Sequence, residues 1–420
     1  MHTTFWYSGI LTVGALACSA EPTPRTPGGA GLETVFDSTG DSVVALVTGE
    51  VSASALRRVI EEWRVAPTED DTSLFTDIYF ASVDLANRVW AYDHPTSRIF
   101  RFDAQGQTLG VMGRRGGGPG EMARLNGMAP SADSGMAIWD AGNARVSLFG
   151  GNGTFVRSVL TPAGYFTSDG LFYDRLGRFY LKQPVRVATG SEVVGRLGLV
   201  RLDSTGVARD TLVPTEPNID TPTYLAGGTN ARASAYSRNA PQASWAWHPD
   251  GFFVTAHGGR YEVLVAKPGG KPIVIRRLTA PIPISSEERA DDAASITWEL
   301  RQTVPEWTWN GPPVPKEKAP LGFIRIDRTG RIWASVTSPS ERLPNTELAL
   351  PRNNAPPPYR FTAPNVWEVF ETSGRFLGRV ELPRRASLVE ADGDDIWLIQ
   401  RDSDGLPAVV RGRIAPPLAR

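Results

Sequence analysis

Few residues in this chain are both chemically able and suitably spaced. The histidines are His2, His94, His248 and His257. A catalytic zinc needs about three converging protein ligands. His2 lies in an N-terminal leader, His94 precedes a proline, and His248 and His257 share one unit, so no zinc site is expected. Asp392, Asp394 and Asp395, and Asp402, Asp404 and Gly405, look like fragments of calcium loops, but neither run has the full spacing. Asp and Gly are also what tight turns prefer, and turns are the expectation. A channel calcium bound by side chains scattered along the chain stays open; no other cofactor and no local metal cluster are expected. No nucleophile-elbow, zinc-protease or kinase pattern occurs, so no catalytic residue is assigned.

Gly113, Gly116, Gly117, Gly118 and Gly120 form the densest glycine cluster. Successive backbone N–H groups can cradle a phosphate, yet the cluster lacks the order of a P-loop and precedes no helix. A tight crossing between sheets is the simpler reading, with Arg114 and Arg115 left as exposed cations for an anionic contact. Trp298, Trp307 and Trp309 stand outside any repeat. They are candidate aromatic platforms for a sugar, peptide or stacked ring, or else staples for the segment that carries them.

The elements that would position these groups follow from a repeat. Asp93, Arg98, Phe102 and Gly106 recur as Asp140, Arg145, Phe149 and Gly153, each 47 positions later. Strand-rich repeats of about 40–50 residues with turn glycines at fixed offsets signal β-propeller blades. The paired Asp and Arg are expected to bridge adjacent strands within each blade. Further units begin near Leu171, His248, Gly322 and Ser387. Trp90, Trp139, Trp333 and Trp397 fall on their second or third strands, where they should pack between blades.

The expected fold is all-β, a six-bladed propeller of four-stranded antiparallel blades over residues 32–415, with a short helical insert between blades 4 and 5. A hairpin over 34–51 should close the ring beside the strands of 387–414. Residues 53–65 read as a short amphipathic helix or a loop ending in a strand. Residues 213–242 read as a surface excursion. The insert spans 281–320. Its helix is signalled by Ser285 and Ser286, then acidic residues, then Ala293, Ile296 and Leu300 at helical spacing. It should cover one end of the ring with at least one of its three tryptophans exposed beside the channel. A Pro/Asn-rich loop over 338–364 interrupts the fifth unit.

The segment GRRGGGPGEMARLNGMAPSADSGMAIWDAGNARVSLF, with Asp140, Asn143 and Arg145, resembles an NHL repeat. Together with RIFRFD it resembles the six-bladed NHL-like propellers of bacterial cell envelopes. That resemblance implies a fold much more than an activity.

Charge and termini narrow the function class. The chain has 44 basic and 45 acidic residues, with only five lysines and no basic stripe, which argues against nucleic-acid partners. An apolar run from Phe5 to Ala17 reads as a signal peptide over 1–17. Cys18, the single cysteine, follows small residues and precedes a Pro/Gly-rich tether over 18–31, resembling a lipoprotein processing site at which Cys18 would be acylated. The expectation is an exported, lipid-anchored protein of the outer membrane or periplasm that binds a protein, peptide or glycan and touches membrane only through its anchor. The alternative is a propeller enzyme of the calcium-dependent hydrolase or lactonase type, with its site in the central channel.

Overall fold

The computed structural model describes residues 26–27, 32–50, 52, 55–67, 74–131, 133–161, 170–189, 192–227, 232–348 and 356–419. The expected signal peptide, Cys18 and most of the tether lie outside them.

Three free-standing sheets each contain four antiparallel strands in chain order. Numbering follows β1 (Thr26–Pro27), β2 (Leu32–Asp37), β3 (Val43–Gly49) and β4 (Leu56–Val65). The first free-standing sheet is β5 (Ile78–Val83), β6 (Val89–Asp93), β7 (Arg98–Phe102) and β8 (Thr108–Met112). The second is β9 (Leu125–Pro130), β10 (Met136–Asp140), β11 (Arg145–Phe149) and β12 (Phe155–Leu160). The third is β13 (Leu171–Tyr173), β14 (Phe179–Thr189), β15 (Glu192–Leu202) and β16 (Ala208–Leu212). Every residue of β6 and β10 is buried, as stacking on both faces of a sheet demands. Trp90, Trp139, Trp333 and Trp397 are fully buried, in the packing role expected of them.

The excursion expected at 213–242 contains a separate hairpin, β17 (Thr223–Gly227) and β18 (Arg232–Tyr236). Next come β19 (Ala243–His248), β20 (Phe252–His257), β21 (Glu262–Val265) and β22 (Ile273–Arg277). This meander is extended to seven strands by β3, β2 and β1, because β3 pairs parallel with β22. The N-terminal hairpin therefore does not close the ring beside residues 387–414.

The remaining strands are β23 (Leu321–Ile326), β24 (Ile332–Val336), β27 (Asn365–Phe370), β28 (Phe376–Leu382), β29 (Ala386–Asp392), β30 (Asp395–Arg401) and β31 (Pro407–Ala415). Within the expected loop over 338–364, β25 (Glu341–Arg342) pairs with β26 (Phe361–Thr362). One eight-stranded sheet runs β23-β24-β27-β28-β4-β31-β30-β29. Its join is β4, parallel to β28 and antiparallel to β31. Residues 56–65, part of the stretch ambiguous in sequence, thus supply the strand the hairpin was expected to supply. Val59, Trp63 and Val65 suit a strand, and Glu62 meets Arg411 and Arg413 across the pairing at 3.2 and 3.3 Å. Hydrogen bonding consequently does not divide the chain into six equal four-stranded sheets. The architecture is all-β and propeller-like, with one α-helix among the described residues.

That helix, α1 (Ser286–Arg301), starts where the sequence placed it: Ser285 accepts a hydrogen bond from the Glu288 backbone N–H at 3.1 Å. Its apolar residues Ile296 and Leu300 pack with Val304, Trp307 and Val314 onto Tyr224, Ala226 and Ala235 of the β17–β18 hairpin. The insert was expected to cover one end of the ring; its apolar side is instead spent on the neighbouring hairpin. Acidic residues of α1 hold the 338–364 segment: Glu288 accepts from Ser340 and Tyr359, and Asp291 pairs with Arg360 at 2.5 Å.

Candidate functional site: the central cavity

The first strand of each meander, namely β5, β9, β13, β19, β23 and β29, lines one shared cavity of about 510 Å³. Tight turns follow several of these strands, and a recurrent device stiffens them. Asp84 accepts hydrogen bonds from the Ala86 and Arg88 backbone N–H groups, from Arg88 Nε at 2.7 Å and from Trp90 Nε1 at 3.0 Å. Asp174 does the same for Leu176, Arg178 and the Tyr180 hydroxyl. Asp327 does so for Thr329, Arg331 and Trp333. The signal D-x-x-[GN]-R-x-[WY] stands in the sequence at 84, 174 and 327 and marks a turn that ties itself to the buried aromatic of the second strand.

Basic side chains then clasp one turn to another. Arg88 donates to the Ser134 carbonyl. Arg175 pairs with Asp250 and reaches the Thr329 carbonyl at 3.2 Å. His248 accepts from the Asp250 N–H through Nδ1 and faces the Gly330 carbonyl through Nε2 at 3.2 Å, so Nε2 carries the proton. Burial lowers its pKa, which keeps it neutral and makes it a structural clasp. Arg331 reaches the Gly393 carbonyl at 3.0 Å. Arg328 donates to Asn87 at 2.9 Å and to the Val83 and Asp84 carbonyls at 3.1 and 3.2 Å, and lies 3.5 Å from Asp392.

The cavity wall is aromatic and basic. Tyr79, Phe172, Tyr173, Trp245 and Phe323 contribute rings, and Lys182, Arg325, Arg328 and Arg401 contribute cations. Lys182 Nζ sits 5.3 Å over the Trp245 ring, and Arg401 also reaches Asp77 at 2.7 Å. Against these stand two carboxyl groups. Asp327 is committed to its turn. Glu390 accepts only the Ala391 N–H, at 3.0 Å through Oε1, and pairs with no cation among the described residues. Burial pushes its carboxyl up to about 7. Its role was not foreseen: a lone glutamate in a strand gives no sign that five other strands will enclose it.

The residues singled out from the sequence lie elsewhere. Trp307 is buried and donates Nε1–H to the Leu225 carbonyl at 2.9 Å, so it is a staple. Trp298 is half-buried. Trp309 is 37% exposed against Tyr224, with ring centroids 4.7 Å apart, but none of the three lines the cavity.

Arg114 pairs with Glu121 at 2.6 Å, while Arg115 is exposed. The glycine loop is no anion cradle. The carbonyls of Gly116, Gly117 and Gly118 point at Asn143 and Arg145, and the Gly118 N–H is taken by Glu121.

Of the expected Asp–Arg bridges, Asp140–Arg145 forms across β10 and β11, whereas Asp93–Arg98 does not form among the described residues. Asp140 accepts from the Ala123 and Arg124 N–H groups and stands 3.9 Å from Arg145; Asp93 accepts from the Thr76 and Asp77 N–H groups, while Arg98 is exposed. Each aspartate caps the backbone entering its own sheet, which uses its lone pairs better than an arginine across the turn. Asp402 likewise accepts the Asp404 and Leu406 N–H groups within a turn. Among the described residues, no three His, Cys, Asp or Glu side chains converge as a metal site would need, and no helix is long and apolar enough to cross a membrane.

Fold and cavity together define a propeller-like all-β protein with a ligand-sized central chamber. No protein-family profile and no curated protein matches the chain. Solved structures similar to it include a DUF4221-family member from Bacteroides vulgatus, with 11% identity, 86% of this chain and 98% of the other covered, and a TM-score of 0.45. A protein from Bacteroides fragilis shows 8% identity, 88% and 99% coverage and a TM-score of 0.45. A gluconolactonase from Xanthomonas campestris shows 12% identity, 94% and 99% coverage and a TM-score of 0.38.

Proposed function

We propose that the protein is an exported, lipid-anchored, NHL-like propeller of six blades that serves a bacterial envelope as a binding scaffold, with the central cavity as its ligand site. The count of six is supported by the six innermost strands around one cavity and by taking β4 with β29, β30 and β31 as one meander. Export and anchoring rest on the apolar run and Cys18. Trp309, Arg114 and Arg115 are then outer contacts for a protein, peptide or glycan, with Trp298 and Trp307 bracing the insert.

The observation that carries the binding reading is the composition of the cavity wall. Rings and cations stand out in it against an aliphatic background, as in sites that hold a ligand by stacking and charge. A calcium-dependent hydrolase would need about six to eight oxygen ligands around its ion, carboxylates prominent among them, and the carboxylates of the described wall are Asp327, already committed, and Glu390.

Thermal-shift screening of small acids, sugars and peptides tests the reading, repeated on Ser387→Trp. Ser387 is an exposed residue of the cavity wall, where an indole would fill space without disturbing the core. Ligands that stabilise the wild type and lose their effect in the variant support the proposal. Stoichiometric calcium in the purified protein, with lactone hydrolysis, would establish the rival. Fractionation of Cys18→Ser tests anchoring: the variant should move to the soluble fraction, and unchanged membrane association counts against acylation.

A further inference from the structure

We infer that the cavity takes a small organic anion with an aromatic or apolar body, and that it binds this anion together with a proton on Glu390. The inference rests on the cavity being a ligand site and adds the ligand's chemistry and its dependence on pH.

The two ends of the cavity differ. Lys182, beneath its stacking partner Trp245, lies away from the turns, with the rings of Tyr79 and Phe323 and the cation of Arg401 on neighbouring strands. Phe323 is 48% and Tyr79 59% exposed, so both rings present aromatic surface that a ligand in the cavity can cover. Arg325 stands midway along β23. These groups suit an anionic head and a flat or apolar body.

Glu390 lies toward the other end, near the turns. Around it are Arg328 and Asp327 from the turn after β23, Asp392 on its own strand, and Tyr173 on β13. Asp84, at the end of β5, is committed to Arg88 and Trp90. Arg328, the nearby cation, spends its guanidinium on Asn87, Asp392 and two carbonyls. Oε2 of Glu390 has no partner among the described residues. Ionised, Glu390 would confront an anionic ligand within the same cavity. Protonated, it removes that repulsion and gains an O–H to donate. Its carboxyl titrates at about 7, so the switch falls where a modest change in acidity is felt. Entry of an anion raises that value further, and binding draws in a proton by linkage.

Anilinonaphthalene sulfonate, which stays ionised across the range, is the probe, titrated by fluorescence between about pH 6 and about pH 8. Affinity in the wild type should fall about tenfold over that interval. Glu390→Gln should bind equally at both ends, near the wild-type value at the acid end. Calorimetry of the wild type in buffers of different ionisation heat should show net proton uptake near neutrality, a measurement independent of any variant. A pH-independent wild-type affinity, an undiminished pH dependence in Glu390→Gln, or zero proton uptake overturns the inference while leaving the cavity as a binding site. Absence of probe binding, or binding unaffected by Ser387→Trp, overturns both.

Discussion

Two glutamates, Glu368 in the core and Glu390 on the cavity wall, are surrounded in opposite ways. Glu368, on β27, is fully enclosed and fully answered: Arg277 from β22 lies at 3.0 Å, Arg379 from β28 at 2.5 Å, and the Tyr261 hydroxyl donates to it at 2.5 Å. The cluster joins the seven-stranded sheet to the eight-stranded one. Glu390, on β29, faces the cavity with one backbone N–H and an uncommitted oxygen. A carboxylate that has bought its burial with two guanidinium groups and a phenol is part of the wall. One that has not is available to whatever enters.

Breaking the answered glutamate should cost most. Glu368→Ala leaves Arg277 buried without its counter-ion, and about 3–5 kcal/mol should be lost, read from urea unfolding. A loss below about 1 kcal/mol would mean that the cluster relaxes into water. Arg328→Met should cost less, about 1.5–3 kcal/mol, because it unties the turns at 84 and 392 but leaves no carboxylate sealed in the core. An unchanged urea midpoint would remove Arg328 from the clasps.

Glu390→Gln sharpens the contrast by its sign. The folded carboxyl titrates at about 7 against an ordinary 4.5, so the native state holds the proton more tightly. Wild-type stability should therefore fall as pH rises from about 4.5 to about 7 and stay lower above that. The variant lacks this decline. It should match the wild type near pH 4 and exceed it by about 3 kcal/mol near pH 8, and a variant less stable at high pH would contradict the unpartnered environment. The smallest effect belongs to Arg114→Ala: its pair with Glu121 is solvent-exposed, and the melting temperature should not change measurably. A clear drop would give the glycine loop a structural weight its exposure does not suggest.

What the sequence disclosed depended on how far each determinant reaches along the chain. The helix cap at Ser285, the turn aspartates and the tryptophans of the second strands act over a few residues, and their signatures are local. The strand character of residues 56–65 was hidden because Arg57, Arg58, Glu61, Glu62 and Arg64 imitate a polar helical face. Their partners, among them Glu381, Gln400 and Arg411, lie more than 300 residues away. The hairpin of β2 and β3 was recognised as a hairpin, yet nothing in it distinguishes β22 from β31 as a neighbour. The seventh-residue link from Asp84 to Trp90 was legible, and its repetition at 174 and 327 would have located the turns that the clasps connect. Glu390 was not legible, because its character comes from a cavity that six distant strands build together.

The position of β4 has a consequence for biogenesis. Val59 pairs with Ile414, so β4 must wait for β31, the last of the described strands, to emerge from the ribosome. Until then, the edge of β28 and the far side of β30 are unsatisfied templates that could recruit a stray strand. Contacts so far apart in sequence form slowly. A chain truncated before β31 should therefore aggregate rather than fold with one strand fewer, and chaperone protection should be needed longest for the N-terminal portion, although it is synthesised first.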